Sequence, residues 1–188
     1  MADKPAHIAP LQTDKPIVMI GLMGAGKSRI GRDLATKLNL PFIDADDEII
    51  EAAGCSIPDI FELYGEAAFR DVEKRVISRL LEGKTQIIAT GGGAFMNNDV
   101  RKAIHEKGIS IWLKADLDIL VERTGRRGGR PLLETGDPRT ILKALMDERY
   151  PVYGEADIVV NSQDVAIGET VNETANALST FTTKQSGT

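Results

Sequence analysis

Short apolar runs alternate along this chain with longer stretches in which apolar residues recur every three or four positions. Ile17-Val18-Met19-Ile20 reads as a buried strand opening into Gly21. From Arg29 to Leu38, Ile30, Leu34 and Leu38 share one helical face. Phe42-Ile43 predicts a second strand ending at Asp44. A helix over Asp46 to Ala53 follows, closed by Gly54. Ser56, with Pro58 behind it, starts a short helix through Leu63. Glu66 to Leu81 reads as a long helix, apolar at Phe69, Val72, Val76 and Leu80. Further strands are expected at Gln86–Thr90, Ile109–Leu113 and Ile158–Val160. Helices are expected at Asp99–Lys107, after Asp116, from Asp137-Pro138, and over about Val165 to Leu178. Strands separated by helices pair in parallel, so the pattern predicts an α/β sheet with its ligand site beyond the carboxyl ends of the strands.

The ends differ from this middle. Residues 1–15 lack periodicity and read as a flexible lead-in. Residues 16–181 read as one domain, and 182–188 as a flexible polar tail. With 188 residues in all, one domain is the expected count. The net charge of −5 argues against a nucleic-acid partner, and no apolar run is long enough to span a bilayer. One cysteine and two histidines leave no material for a disulfide framework or a multi-His metal centre. A cytoplasmic monomer is the expectation.

The strongest chemical signal is Gly21-Leu-Met-Gly-Ala-Gly26-Lys27-Ser28, which fits G-x-x-x-x-G-K-S/T between a strand and a helix. Glycines let successive backbone N–H groups turn toward phosphate oxygens, and the helix N-terminus adds partial positive charge. Gly24, Ala25, Gly26, Lys27, Ser28 and Arg29 are the nucleotide-contact candidates, with Lys27 reaching the phosphates and the Ser28 hydroxyl binding Mg²⁺. The third strand ends in Gly91-Gly92-Gly93 rather than in an aspartate, so a metal-side carboxylate must come from Asp44-Ala45-Asp46. If this segment is extended, Asp44 and Asp46 face the same way, one toward Mg²⁺ and the other toward an acceptor hydroxyl. Helix capping by Asp46 or Asp47 explains the pattern equally well.

The glycine triplet allows close approach of a ligand to backbone. Arg70 and Glu73 read, on spacing alone, as a surface i,i+3 pair. The arginines at 123, 126, 127 and 130, interleaved with glycines, suit a mobile cationic lid over phosphates at about 125–137.

Taken together, Gly21–Ser28, Phe-Ile-Asp-Ala-Asp at 42–46, Phe69-Arg70, Gly91–Gly93, Arg130-Pro-Leu-Leu133 and Glu148-Arg149-Tyr150 resemble the shikimate kinase family from about Pro16 to Asn161. The resemblance implies a three-layer P-loop kinase fold with a five-stranded parallel sheet flanked by helices and a mobile lid. It implies transfer of the ATP γ-phosphoryl group to the 3-hydroxyl of shikimate, in aromatic amino-acid biosynthesis, with Mg²⁺ as cofactor. Carried over by motif, Asp46 binds shikimate hydroxyls and serves as base, with Lys27 and Arg130 as the other catalytic groups. Arg70 and Arg149 bind the carboxylate, and the Gly91–Gly93 backbone lines the acceptor. Ser28 holds Mg²⁺ with Asp44 assisting, Arg123 lies by the adenine, and Arg130 comes from the lid. An acceptor-binding region at about 44–83 follows. Arg29 departs from the threonine found in many relatives at that position, which leaves the phosphate grip intact. The rival readings are a gluconate-type small-molecule kinase and a P-loop nucleotide-binding module without transferase activity. A GTP switch is disfavoured, since no Asn-Lys-x-Asp string occurs.

Overall fold

A computed structural model of the chain describes residues 11–126, 133 and 136–186. Five parallel strands form one sheet in the order β2-β3-β1-β4-β5. They are β1 (Ile17–Ile20), β2 (Phe42–Asp44), β3 (Ile87–Ala89), β4 (Ile109–Lys114) and β5 (Ile158–Asn161). β1, β3 and β4 are largely apolar and buried along their length, as expected of strands covered on both faces, whereas the edge strand β5 alternates between buried and exposed positions. Ile17, Val18, Ile87, Ile88 and Ile111 are all fully buried.

Helices flank the sheet: α1 (Lys27–Leu38), α2 (Ala45–Ala53), α3 (Ile57–Leu81), α4 (Asn98–Lys107), α5 (Leu117–Gly125), α6 (Pro138–Tyr153) and α7 (Ile167–Ser186). A single 3₁₀ turn, Ala94–Met96, lies between β3 and α4. The two helices expected around Gly65 are both present as segments of α3, divided there by a non-helical residue with φ 81° and ψ 173°. The first segment begins with a capping box, in which the Ser56 side chain accepts from the Asp59 N–H and the Asp59 side chain accepts from the Ser56 N–H.

β1 sits between β3 and β4. From β1 the chain first passes to β2 on one side, and from β3 it crosses to β4 on the other. A crevice at the carboxyl end of β1 is the consequence, and that is where the glycine loop begins.

Two boundaries change. The expected flexible tail from 182 is corrected: α7, which packs against α1, continues to Ser186, and Thr182 is buried at 1% exposure, which the polar C-terminal sequence does not advertise. At the other end, Leu11 packs against the core and the Thr85 hydroxyl donates to the Thr13 carbonyl, so the last residues of the expected lead-in are tied to the domain. Residues 1–10 and 187–188 lie outside the described residues. So does most of the expected lid, including Arg127 and Arg130.

Candidate active site

The glycine loop is built by local backbone rules. Gly26 is the N-cap of α1 with φ 97° and ψ 16°, a left-handed conformation that a β-carbon disfavours. Its carbonyl accepts from the Ile30 N–H at 2.8 Å, and the Ala25 N–H donates to Leu22 at 3.1 Å. The first turn of α1 has no acidic residue to compensate its partial positive charge. Lys27, the first residue of that turn, donates from Nζ to the Leu22 carbonyl at 3.0 Å, which folds its side chain back across the loop.

Ser28 and Asp44 meet at the base of the loop. The Ser28 hydroxyl donates to Asp44 Oδ2 at 2.7 Å, and Asp44 Oδ1 accepts from the Asp46 N–H at 3.1 Å. Asp44 is therefore the cap of α2. That corrects both the extended geometry and the capping role expected of Asp46 or Asp47, because β2 stops at Asp44 and Asp46 already lies in the first helical turn. The two carboxylates nevertheless line the same cleft. This hydroxyl and carboxylate are hard oxygen donors of the kind that hold Mg²⁺ with help from phosphate and water. Among the described residues, no group of three or more His, Cys, Asp or Glu could form an all-protein cage. The donor set fits Mg²⁺ bound alongside a nucleotide.

A cleft of about 770 Å³ runs from this loop to Arg149. Its far end draws on α2, α3, the β3–α4 connection and α6. The Arg70 Nη1 donates to Glu73 Oε2 at 2.8 Å and its Nη2 to Glu66 Oε1 at 3.3 Å. Burial alone would lower the Arg70 pKa, but the hydrogen bonds and charges of Glu73 and Glu66 outweigh it and leave the guanidinium still more firmly protonated. Glu73 is no surface partner: its side chain is only 2% exposed, and its buried Oε1 has no hydrogen-bond partner among the described residues. The expected surface pair is corrected accordingly. Burial raises the Glu73 pKa, as does the charge of Asp46, while Arg70 and Arg149 oppose the rise.

The glycine triplet explains how these groups come together. A β-carbon at Gly93 would stand 2.6 Å from Arg70 Nη2, at Gly92 3.2 Å from Arg149 Nη1, and at Gly91 3.3 Å from both Asp46 Oδ1 and Glu73 Oε1. The triplet thus admits the side chains of the site as well as any ligand, and a larger residue at Gly93 would have to displace the Arg70 guanidinium. Asp46 has a raised pKa, first through burial and then through the neighbouring Asp44 carboxylate, with Lys27 pulling the other way. A carboxylate with that shift is a better proton acceptor than an exposed one. Ile57, Phe61 and Phe69 form an apolar wall beside it, with the two phenyl rings 4.7 Å apart.

Arg123 anchors the opposite end. Its guanidinium donates to Ser162 Oγ at 2.8 Å and to the Gln163 carbonyl at 2.7 Å, and the Ser162 hydroxyl donates to the Ala25 carbonyl at 2.9 Å. The β5–α7 connection is thereby tied to the glycine loop, with Asp164, Val165 and Ile167 along the same side of the cleft. Arg29 also lines the cleft, but its side chain pairs with Asp33 on the exposed face of α1.

Two roles escaped the sequence reading, the tie made by Ser162 and the buried position of Glu73. Ser162 gives no sequence signal, since its role depends on the approach of β5 to the loop. Glu73 did leave one: it stands on the stripe of Phe69, Val76 and Leu80, where a charge needs a buried partner.

A family model described as shikimate kinase matches residues 23–179. A shikimate kinase of Rhodopseudomonas palustris is 54% identical over 173 residues, covering 92% of this chain and 85% of its own. One of Paramagnetospirillum magneticum is 50% identical over 184 residues, covering 96% and 94%. A shikimate kinase from Acinetobacter baumannii, solved in complex with shikimate, superposes with a TM-score of 0.82 at 35% identity, covering 87% of this chain and 92% of that one.

Proposed function

The chain belongs to the shikimate kinase family, and on that premise we propose that its cleft transfers the γ-phosphoryl group of ATP to the 3-hydroxyl of shikimate. One observation carries the assignment of residues: a phosphate-binding loop and a paired-arginine acceptor end, with Asp46 between Asp44 and Gly91, line a single cleft.

ATP phosphates lie against the glycine loop at Gly24, Ala25 and Gly26 and the N-terminus of α1, with the Ala25 N–H itself held by the Leu22 carbonyl. Lys27 leaves the Leu22 carbonyl for the transferring group, since a phosphate oxygen is a far better partner for an ammonium than a neutral carbonyl. Ser28 and Asp44 would hold Mg²⁺, which when bound neutralises phosphate charge. Arg70 and Arg149 grip the shikimate carboxylate, and the backbone of Gly91, Gly92 and Gly93 closes around it. Asp46 orients the 3-hydroxyl and takes its proton as the bond to phosphorus forms. Arg123 borders the adenine end. Arg130 belongs to the closing lid on the strength of the family motif, and lies outside the described residues. Catalysis of this kind is positioning and charge neutralisation, with no covalent intermediate on the protein.

The test is coupled ADP release with a panel of hydroxy acids and Mg²⁺. Release with shikimate and none with gluconate is expected. Turnover of gluconate with none of shikimate would transfer the assignment to the gluconate-type reading, and no acceptor-dependent release at all would favour a binding module.

A further inference from the structure

Resting on that functional reading, we propose that the Tyr153 hydroxyl is a positioning group for shikimate, setting the orientation of the acceptor-side glycine backbone and of Arg149 together. Tyr153 is fully buried in the last turn of α6, one turn beyond Arg149. Its hydroxyl donates to the Gly92 carbonyl. That carbonyl belongs to the same planar unit as the Gly93 N–H, and in a trans peptide the two point to opposite sides. Holding the carbonyl toward Tyr153 therefore aims the Gly93 N–H away from it. The backbone bonds of this turn run from Ala94 to Gly91 and from Met96 to Gly93, and neither uses that N–H.

The same hydroxyl is coupled to Arg149. Burial pushes the Tyr153 phenol up to about 12, and the charge and hydrogen bonding of Arg149 counter part of that rise. The phenol therefore keeps its proton, and so remains a donor, across the working range. Arg149 Nη1 lies against Gly92, and its buried Nε has no hydrogen-bond partner among the described residues. The Tyr153 ring is itself fixed against Trp112 at 5.9 Å and Tyr150 at 6.1 Å. A rigid ring thus carries one hydroxyl to a point between two parts of the acceptor site that come from different elements.

Tyr150 supplies an internal control. It belongs to the same aromatic cluster, its phenol is also pushed up to about 12 by burial, and its hydroxyl also donates to a backbone carbonyl, but that carbonyl is Ala115, away from the glycine triplet. Removing either hydroxyl leaves a backbone acceptor without its partner, so both Phe variants should lose some thermal stability. Only Tyr153→Phe should change acceptor binding.

The experiment measures KM for shikimate, KM for ATP and the melting temperature for wild type, Tyr153→Phe and Tyr150→Phe. In Tyr153→Phe the shikimate KM should rise about tenfold, the effect of losing one well-placed hydrogen bond, with the ATP KM within about twofold of wild type. In Tyr150→Phe both constants should stay within about twofold. Equal losses of melting temperature with no change in shikimate KM would overturn the proposal, as would a parallel rise of both Michaelis constants. Should Tyr153→Phe fail to fold, a ring-fluorinated tyrosine at 153 keeps the shape and makes the hydroxyl more acidic. The shikimate KM should then climb at alkaline pH in the substituted enzyme alone, and an unchanged profile would again overturn it. Wild-type turnover of shikimate separates the two claims: its absence sinks the functional reading, whereas its presence with an unmoved Tyr153→Phe sinks only this one.

Discussion

The two ends of the cleft are built in opposite ways. On the proposed reading, one contiguous octapeptide supplies the phosphate contacts at the nucleotide end, most of them backbone, and their geometry follows from a strand, a turn and a helix N-terminus. At the acceptor end, Asp46, Arg70, Glu73, Gly91–Gly93 and Arg149 come from distant parts of the chain, and each is held by another. Arg70 fills the space that a side chain at Gly93 would occupy, and Glu73 is buried beneath Arg70. A phosphate can be recognised by generic N–H groups, because its charge is high and its shape symmetric. A ring with one carboxylate and several hydroxyls needs charges and acceptors at particular places, which no single turn can provide.

Breaking each end should expose the difference. Lys27→Ala removes the one mobile cation of the octapeptide and should lower kcat by about a thousandfold, while the melting temperature stays near wild type because the loop backbone persists. Steady-state kinetics alongside a thermal melt checks this, and near-normal kcat would remove Lys27 from the transfer step. At the acceptor end, Arg70→Ala should lower kcat/KM for shikimate by about a hundredfold or more, since truncating one member of a shielded charge pair costs roughly 2–5 kcal/mol. ATP binding should barely change. The loss should shrink when the methyl ester replaces the acid, so a cycle over both substrates and both proteins isolates the carboxylate contact. Equal losses for acid and ester would mean that Arg70 does not bind the carboxylate.

A pH profile sharpens the comparison further. Asp46 must be ionised to accept a proton, and burial and Asp44 raise its pKa above the ordinary 3.8. Activity is therefore present above the raised value and lost as pH falls through it, up to tenfold per unit below the limb. The Asp46 charge in turn helps to raise the pKa of the buried Glu73. An acid limb at or below the ordinary aspartate value would exclude Asp46 as the base.

Glu73→Gln keeps the shape but removes the buried charge under Arg70. Glu66 remains as a second partner, so the expected drop in kcat/KM for shikimate is only about tenfold, again with ATP unaffected. Titrating both substrates would show it, and an equal change in both Michaelis constants would point to general loosening instead. The smallest effect is expected of Arg29→Ala. Its pair with Asp33 is exposed at 59% and 38%, so the loss of stability should be about 0.5 kcal/mol or less, with the ATP KM nearly unchanged.

The same asymmetry governs how much of the molecule could be read in advance. Local rules determine the strand runs, the helix starts at Ser56 and Asp137, the break at Gly65 and the phosphate loop, because each depends on neighbours a few positions away. Joined by order along the chain, the separate motifs also carried the family and its reaction. Tertiary structure alone decided the rest. It made Asp44 the cap of α2, leaving Asp46 as the half-buried carboxylate. It turned the Arg70–Glu73 spacing from a surface pair into a buried one, and the glycine triplet into a seat for two guanidinium groups. It also drew Ser162 to the loop and kept α7 helical past Thr182. In all of these cases but the Asp44 cap, whose bond reaches an N–H only two residues away, the deciding quantity is burial or contact between residues far apart in sequence. Spacing along one element can place a charge on a helical face, but what that face packs against is set by the sheet order and by the crossings that bring other elements to it.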